Sequence, residues 1–290
     1  MLSVLVATYN WDIRLLVKKL YTQLEKASIP FEIICIDDAS VSERNIKNEQ
    51  LNSYKNCSFT TLSKNIGRSS LRNLLARKAT YDSLLFLDAD VFPVSDKFIE
   101  NYISNLDKVN VLIGGIAYKD GIDTSKLRWK LGKKREEFSA DIRNKNSYKY
   151  FFTGNFLIKK EMFHHLQFDE NLIKYGYEDL LFSKELEKRN IKIKHINNPV
   201  FHLGIDENTV FIEKTKQAIK NLVFLISEKK ILKEDTTLTA TYFKLKRFGL
   251  VFLLNKRSKK LESLAINKSS LFFLQLFRLS YLHQVLKNTN

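Results

Sequence analysis

The stretch Ser83-Leu-Leu-Phe-Leu-Asp88-Ala-Asp90 decides how the chain is read. Residues 83–87 form a short apolar run without polar alternation, the pattern of a strand buried on both faces. Two carboxylates follow at the point where the chain must leave the sheet. Hard oxygen ligands of this kind suit Mg²⁺ or Mn²⁺, which take a few carboxylates and complete their shell from phosphate and water. An Asp pair is also an ordinary turn or cap feature, so this motif alone does not settle a function.

Outward from this stretch the pattern repeats. Residues 2–8 are a Val- and Leu-rich run that ends in Thr8-Tyr9-Asn10. Residues 31–36, Phe-Glu-Ile-Ile-Cys-Ile, run into Asp37-Asp38, and residues 59–62 suit a short third strand. Between them, residues 12–27 carry Ile13, Leu16, Val17, Leu20 and Leu24 at helical spacing. Residues 68–79 do the same with Leu71, Leu74, Leu75 and Ala79. Strands alternating with helices predict an α/β fold, a mostly parallel sheet with helices on both faces. Ligands of such sheets bind beyond the carboxyl ends of the strands. The three polar clusters at 8–10, 37–38 and 88–90 are therefore expected at one edge.

Further along, 111–117 and 151–158 read as strands, and 118–150 as a long loop or small helical insert. A helix is expected over 178–189 and a short strand over 191–196. After about residue 208 the pattern is helices joined by basic segments. We expect a catalytic part over 1–228, divided near residue 110, and a basic helical extension over 229–290.

The composition is ordinary for a globular protein, 44% hydrophobic and 28% charged, which argues against global disorder. The net charge of +16 points to an anionic partner. Residues 229–290 hold 13 Lys/Arg against 3 Asp/Glu, so more than half of the excess lies in the last fifth of the chain. The segments 242–254 and 271–286 are strongly apolar and flank Lys256-Arg-Ser-Lys-Lys260. Apolar helices with basic flanks can lie on an anionic membrane surface, so 242–286 is a candidate docking region on the inner face of the cell membrane. A helical cap or a homodimer interface is the competing role. The two cysteines, Cys35 and Cys57, make no disulfide framework, and no secretory leader or membrane-length apolar run is visible, so a cytoplasmic protein is expected.

Six short motifs occur in order: Val4-Leu-Val-Ala-Thr-Tyr-Asn10, Asp37-Asp38-Ala-Ser40, Asn65-Ile-Gly67 with Arg72-Asn73, Phe86-Leu-Asp-Ala-Asp90, Thr153-Gly-Asn155 and Gly176-Tyr-Glu-Asp179. Over about residues 2–205 this series resembles glycosyltransferase family 2, inverting enzymes with the nucleotide-binding glycosyltransferase A fold. The resemblance implies a UDP-sugar as the commonest donor, a Mn²⁺ or Mg²⁺ cofactor, and transfer of a hexosyl or N-acetylhexosaminyl group to a glycan or lipid-linked acceptor. By position it implies that Thr8, Tyr9 and Asn10 line the nucleotide pocket, that Asp38 with Asp37 beside it meets the uracil, and that Arg72 lies near the nucleotide or its phosphates. Asp88 would face the ribose or metal, Asp90 would bind the metal, and His202 in Pro199-Val-Phe-His-Leu-Gly204 would add a third ligand. Gly154 and Asn155 would meet the sugar.

Glu178-Asp179 is the second chemical centre. An acceptor hydroxyl is a poor nucleophile until a base takes its proton, and a positioned carboxylate can do this. The resemblance puts that base at Asp179, with Glu178 orienting the acceptor or the loop. Both residues also suit a helix N-terminus, where the dipole favours acids. Processive relatives carry Gln-x-x-Arg-Trp after the acidic pair; here Arg128-Trp129 comes before it, without that Gln, so one sugar per encounter is expected.

Two rivals remain at this stage. A sugar nucleotidyltransferase would share the sheet and the metal, but would carry a Gly-rich loop after the first strand, where Ala7-Thr-Tyr-Asn-Trp-Asp12 has no Gly. A basic protein binding membrane or nucleic acid without catalysis fits the charge. Nucleic acid is disfavoured because the excess sits in one apolar tail rather than on a recognisable binding module.

Overall fold

The computed structural model describes residues 1–106, 109–121, 123–172, 175–255 and 257–289. They form two compact units. The first comprises Met1–Lys119, Arg135–Ile173 and Glu178–Gly204, and the second Asp120–Lys134, Lys174–Tyr177 and Ile205–Asn290.

The first unit begins β1 (Leu2–Thr8), α1 (Arg14–Ala27), β2 (Phe31–Asp37), α2 (Glu43–Asn48), β3 (Cys57–Thr61), α3 (Arg68–Lys78) and β4 (Ser83–Asp88). It continues through β5 (Val91–Pro93), α4 (Phe98–Ile103), β6 (Val111–Ile113) and β7 (Ile116–Ala117). The expected insert is helical: α5 (Leu127–Arg135) falls almost wholly in the second unit and α6 (Ala140–Asn144) in the first. Then come β8 (Asn155–Lys159), α7 (Lys160–Leu166), α8 (Glu178–Lys188), β9 (Ile193–His195) and β10 (Val200–His202).

Seven strands form one sheet in the order β3-β2-β1-β4-β8-β6-β9. β1 pairs in parallel with β2 and β4, as does β3 with β2. β8 is the exception, antiparallel to both β4 and β6. Continuous apolar runs are explained by burial: Leu2, Val4, Leu5 and Val6 of β1 and Leu84 and Leu85 of β4 are fully enclosed. One face of the sheet packs on an aromatic cluster in which Phe86 stacks on Phe156 at 4.8 Å and Phe168 on Phe182 at 4.4 Å. A small sheet, β5-β10-β7, lies beside the end of β4.

Two polar braces hold the far half of the unit. Arg143 is buried and donates to the carbonyls of Phe138, Ile113, Gly114 and Ile196 and to His195 Nδ1 at 2.8 Å. Gly115 turns at φ +101°, and a side chain there would strike the Arg143 guanidinium. Burial pushes His195 down to about 4, so its neutral ring accepts from Arg143 while Nε2 donates to the Ser147 carbonyl.

Asn155, expected to meet the sugar, forms the second brace. It is wholly buried, accepts from the Tyr102 hydroxyl at 2.7 Å, and donates to the carbonyls of Gly115 at 2.9 Å and Asn198 at 3.0 Å. Its hydrogen-bonding groups are engaged within the fold.

The second unit holds α9 (Asn208–Ser227), α10 (Thr237–Arg247), a 3₁₀ turn (Leu250–Leu254), α11 (Ser258–Lys268) and α12 (Leu271–Thr289). Its core joins Leu127, Phe211, Ile212, Ala265, Leu274 and Phe277. The helix over 208–227, expected within the catalytic part, thus clusters with the C-terminal helices instead. Phe211 and Ile212 at the start of this helix share the core with Leu274 and Phe277 of α12.

Asn155→Ala removes three buried hydrogen bonds and should lower the unfolding free energy by about 2–3 kcal/mol. A urea titration followed by far-UV circular dichroism measures it; an unchanged midpoint would show that the brace contributes nothing.

Candidate active site

Parallel pairing sets the site. In register, Thr8 lies opposite Asp37, and Ala7 opposite Asp88, so the first three polar clusters end at the same edge. Asn10, at φ +52°, donates its backbone N–H to Ser40 Oγ at 2.7 Å, and Arg44 donates to the Asn10 carbonyl. Tyr9 is largely exposed, whereas Thr8 is buried with a hydroxyl that makes no hydrogen bond among the described residues.

The two adjacent acids have distinct jobs. Asp37 is fully buried and accepts from Ser40 N–H, the Ser40 hydroxyl and Asn45 Nδ2, at 2.6, 2.7 and 3.0 Å. Its carboxylate is engaged in shaping its own loop. Asp38 accepts from the backbone N–H groups of Ile66 and Gly67 at 2.7 and 2.9 Å and so anchors the start of α3. Burial pushes the Asp38 carboxyl up, and the neighbouring Asp37 adds to this, against those two amides. Between the strands of this edge, Ala39 sits at φ +60°, a left-handed conformation that glycine takes at no steric cost.

Arg72 rises from α3 to the centre of the edge. It is buried, donates from Nη2 to Asp88 Oδ1 at 2.7 Å, and lies over the Phe168 ring at 5.4 Å. Its Nη1 and the Ser69 hydroxyl are buried without a hydrogen-bond partner among the described residues. Burial would raise Asp88, but the charges of Arg72 and Arg68 outweigh it and hold the carboxyl below its usual range. Gly154 approaches the same group: a side chain there would come within 3.3 Å of Asp88 Oδ2. The close approach that needs glycine is therefore to Asp88.

The small sheet supplies the second acid. Asp90 precedes β5, and β10 places His202 opposite Val91. His202 Nε2 lies 3.7 Å from Asp90 Oδ2, and the His202 ring stacks on Tyr118 with centroids 5.7 Å apart. Gly204 is required here, since a Cβ would fall 2.0 Å from Asp90 Oδ2. Among the described residues, no three His, Cys, Asp or Glu side chains gather as a complete metal-binding group.

Glu178 and Asp179 open α8. Glu178 is buried, 3.8 Å from Arg68 Nη1. Asp179 is pushed up to about 7, by burial first and then by the Glu178 charge, against Arg72. A carboxyl poised there can accept a proton near neutral pH.

A family model described as Glycosyl transferase family 2 matches residues 3–167. The chain belongs to glycosyl transferase family 2. No curated protein matches it. Among solved structures, residues 1–349 of TarS from S. aureus align at 18% identity over 97% of this chain and 82% of that one, with a TM-score of 0.54. The same TarS segment in complex with UDP-GlcNAc aligns at 17% identity over 97% and 83%, with a TM-score of 0.52. The mannosyltransferase PcManGT from Pyrobaculum calidifontis, in complex with GDP-Man and Mn²⁺, aligns at 14% identity over 100% and 88%, with a TM-score of 0.62. At these identities the likeness is one of fold.

This glycosyltransferase has further features at the same edge that the motifs do not reveal. Arg68 bears on both Asp88 and Glu178, and Tyr118 covers the His202 ring. A cavity of about 300 Å³ opens beside Ala89 and Leu203, walled by Trp11, Leu15 and Phe92 with Arg44 at its side. Its walls come from separate segments, which is why no sequence window displays it.

Because the folded protein holds the Asp179 proton more tightly than the unfolded chain does, stability falls as pH rises from about 4 to about 7. Asp179→Asn removes that loss. The variant should be the more stable protein above pH 7 by about 1–2 kcal/mol, allowing for solvent screening, with the gap closing toward pH 4. Thermal melts across this range test the sign; a gap that widens in acid would overturn it.

Proposed function

We propose that the protein transfers one sugar per encounter from a nucleotide-sugar, a UDP-sugar by family resemblance, to a hydroxyl of a glycan or lipid-linked acceptor, with inversion at the anomeric carbon. The observation that carries this reading is the Asp179 carboxyl, held up to about 7 at the edge that also bears the Arg72–Asp88 pair. The nucleotide-sugars in the similar TarS and PcManGT structures support the donor class.

In this reading Asp179 accepts the proton of the acceptor hydroxyl as its oxygen attacks the anomeric carbon. The bond from that carbon to the diphosphate oxygen breaks, and its electron pair leaves with the diphosphate. Attack opposite the leaving group inverts the centre. Arg72 and Arg68 supply positive charge near Asp88, suited to an anionic nucleotide. Glu178 keeps Arg68 close and raises Asp179.

Asp90 and His202 are the residues that would hold a divalent cation. One carboxylate and one imidazole fit Mn²⁺ better than Mg²⁺, and the lack of a third protein ligand among the described residues leaves positions for phosphate and water. When bound, such an ion offsets charge on the leaving diphosphate. The residues proposed against the nucleotide are Thr8, Tyr9, Asn10, Asp38, Arg72 and Asp88, with Gly154 beside the sugar.

Hydrolysis of a panel of UDP- and GDP-sugars with Mn²⁺, measured without acceptor, should select one donor. Asp179→Asn should lower transfer about 10²–10⁴-fold while leaving donor affinity within about twofold. Asp90→Ala should abolish the response to Mn²⁺. Full transfer by Asp179→Asn would remove that residue from its role. Gly204→Ala, which presses on Asp90, should mimic Asp90→Ala in Mn²⁺ titrations; a wild-type titration curve would show that Asp90 does not hold the ion.

A further inference from the structure

The second unit sorts the apolar residues of 242–286 into two groups. Tyr242, Leu254, Ala265, Leu274, Phe277 and Leu282 are buried. Ala265, Leu274 and Phe277 belong to the second unit's core, and none of the six is free to meet a membrane. The connection between α10 and α11 behaves differently. Gly249 turns at φ +69° with open space around its Cα, and the 3₁₀ turn follows. Phe248 is 66% exposed, Leu250 40%, Phe252 61% and Leu253 45%. Four large apolar side chains within six residues thus face solvent, a patch that ordinarily marks an interaction surface.

The collar around this turn has one sign. Residues 236–261 contain seven Lys/Arg and no Asp/Glu. Lys244, Lys246 and Arg247 precede the turn, Arg257, Lys259 and Lys260 follow it, and all six are exposed. No described helix is long and apolar enough to cross a membrane.

We infer that this turn docks the protein on an anionic lipid bilayer, with Phe248, Leu250, Phe252 and Leu253 entering the acyl boundary and the basic collar resting on the headgroups. The pairing of hydrocarbon with surrounding cations matches the two layers of a lipid surface. Nucleic acid would use the cations but offers nothing for two leucines. A second copy of this chain would bring an equally basic collar against the first, and like charges at an interface oppose association. The turn therefore acts as a peripheral anchor, independent of which sugar the site transfers.

The test is co-sedimentation of full-length protein with vesicles of phosphatidylcholine, with and without roughly one-quarter phosphatidylglycerol. Wild type should sediment with the anionic vesicles, and the binding should weaken with salt. Phe248→Ser with Phe252→Ser should lower the partition coefficient at least about tenfold, as should replacing Lys244, Lys246, Lys259 and Lys260 by Gln. The thermal midpoints should stay within a few degrees of wild type, because these side chains are exposed. Equal partitioning of wild type and both folded variants overturns the proposal. So does a dimer by light scattering that Phe248→Ser with Phe252→Ser converts to monomer while vesicle binding is absent in both.

Discussion

The buried pair of Arg72 and Asp88 is the constraint on which the site depends. A guanidinium removed from water is costly unless a charge and good hydrogen bonds meet it. Here the charge comes from the end of β4, the arginine comes from α3, and Phe168 offers its ring face. Breaking such a pair costs more than the pair contributes, because an uncompensated charge is left behind. The helix and the strand are thereby held at one separation. The same guanidinium opposes the rise of Asp179, and the Asp88 carboxylate adds to it. Asp88 and Asp179 are thus electrostatically linked through one arginine.

Around that pair the acids divide by what they touch. Asp37 and Asp38 are neighbours in the chain, yet one closes its own loop and the other caps the approach to α3. Both spend their lone pairs on N–H and O–H groups, which keeps the edge rigid. Asp88 and Asp90 are separated by one residue and diverge, the first toward Arg72 and the second toward His202. Asp179 is buried beside Glu178, and its carboxyl rises as a result. Asp38, Asp88 and Asp179 therefore differ in proton affinity because of their surroundings.

The second unit has a comparable division among apolar groups. Helical spacing places Leu274, Phe277 and Leu282 inward, where they exclude water from the bundle. At the turn after Gly249, Leu250, Phe252 and Leu253 stay outside while Leu254 is buried. The seven Lys/Arg of residues 236–261 flank that turn along the chain, with no Asp/Glu among them.

Strand and helix positions were legible because short apolar runs and the spacing of Leu16, Leu20 and Leu24 report burial directly. The convergence of Thr8, Asp37 and Asp88 was legible too, since parallel strands carry their carboxyl ends to one edge. Membership of glycosyl transferase family 2 followed from six motifs in order. The role of each polar group was not. Asn155 sits in a motif that suggests a ligand, but three partners distant in sequence occupy it. His195 gives no local sign of the buried arginine it receives, and the 208–227 helix carries no mark of the unit it joins. Apolar periodicity is a local property written in neighbouring residues. Whether a carboxylate caps a helix, holds an arginine or keeps its proton depends on groups brought together from distant segments, and only the tertiary structure decides that.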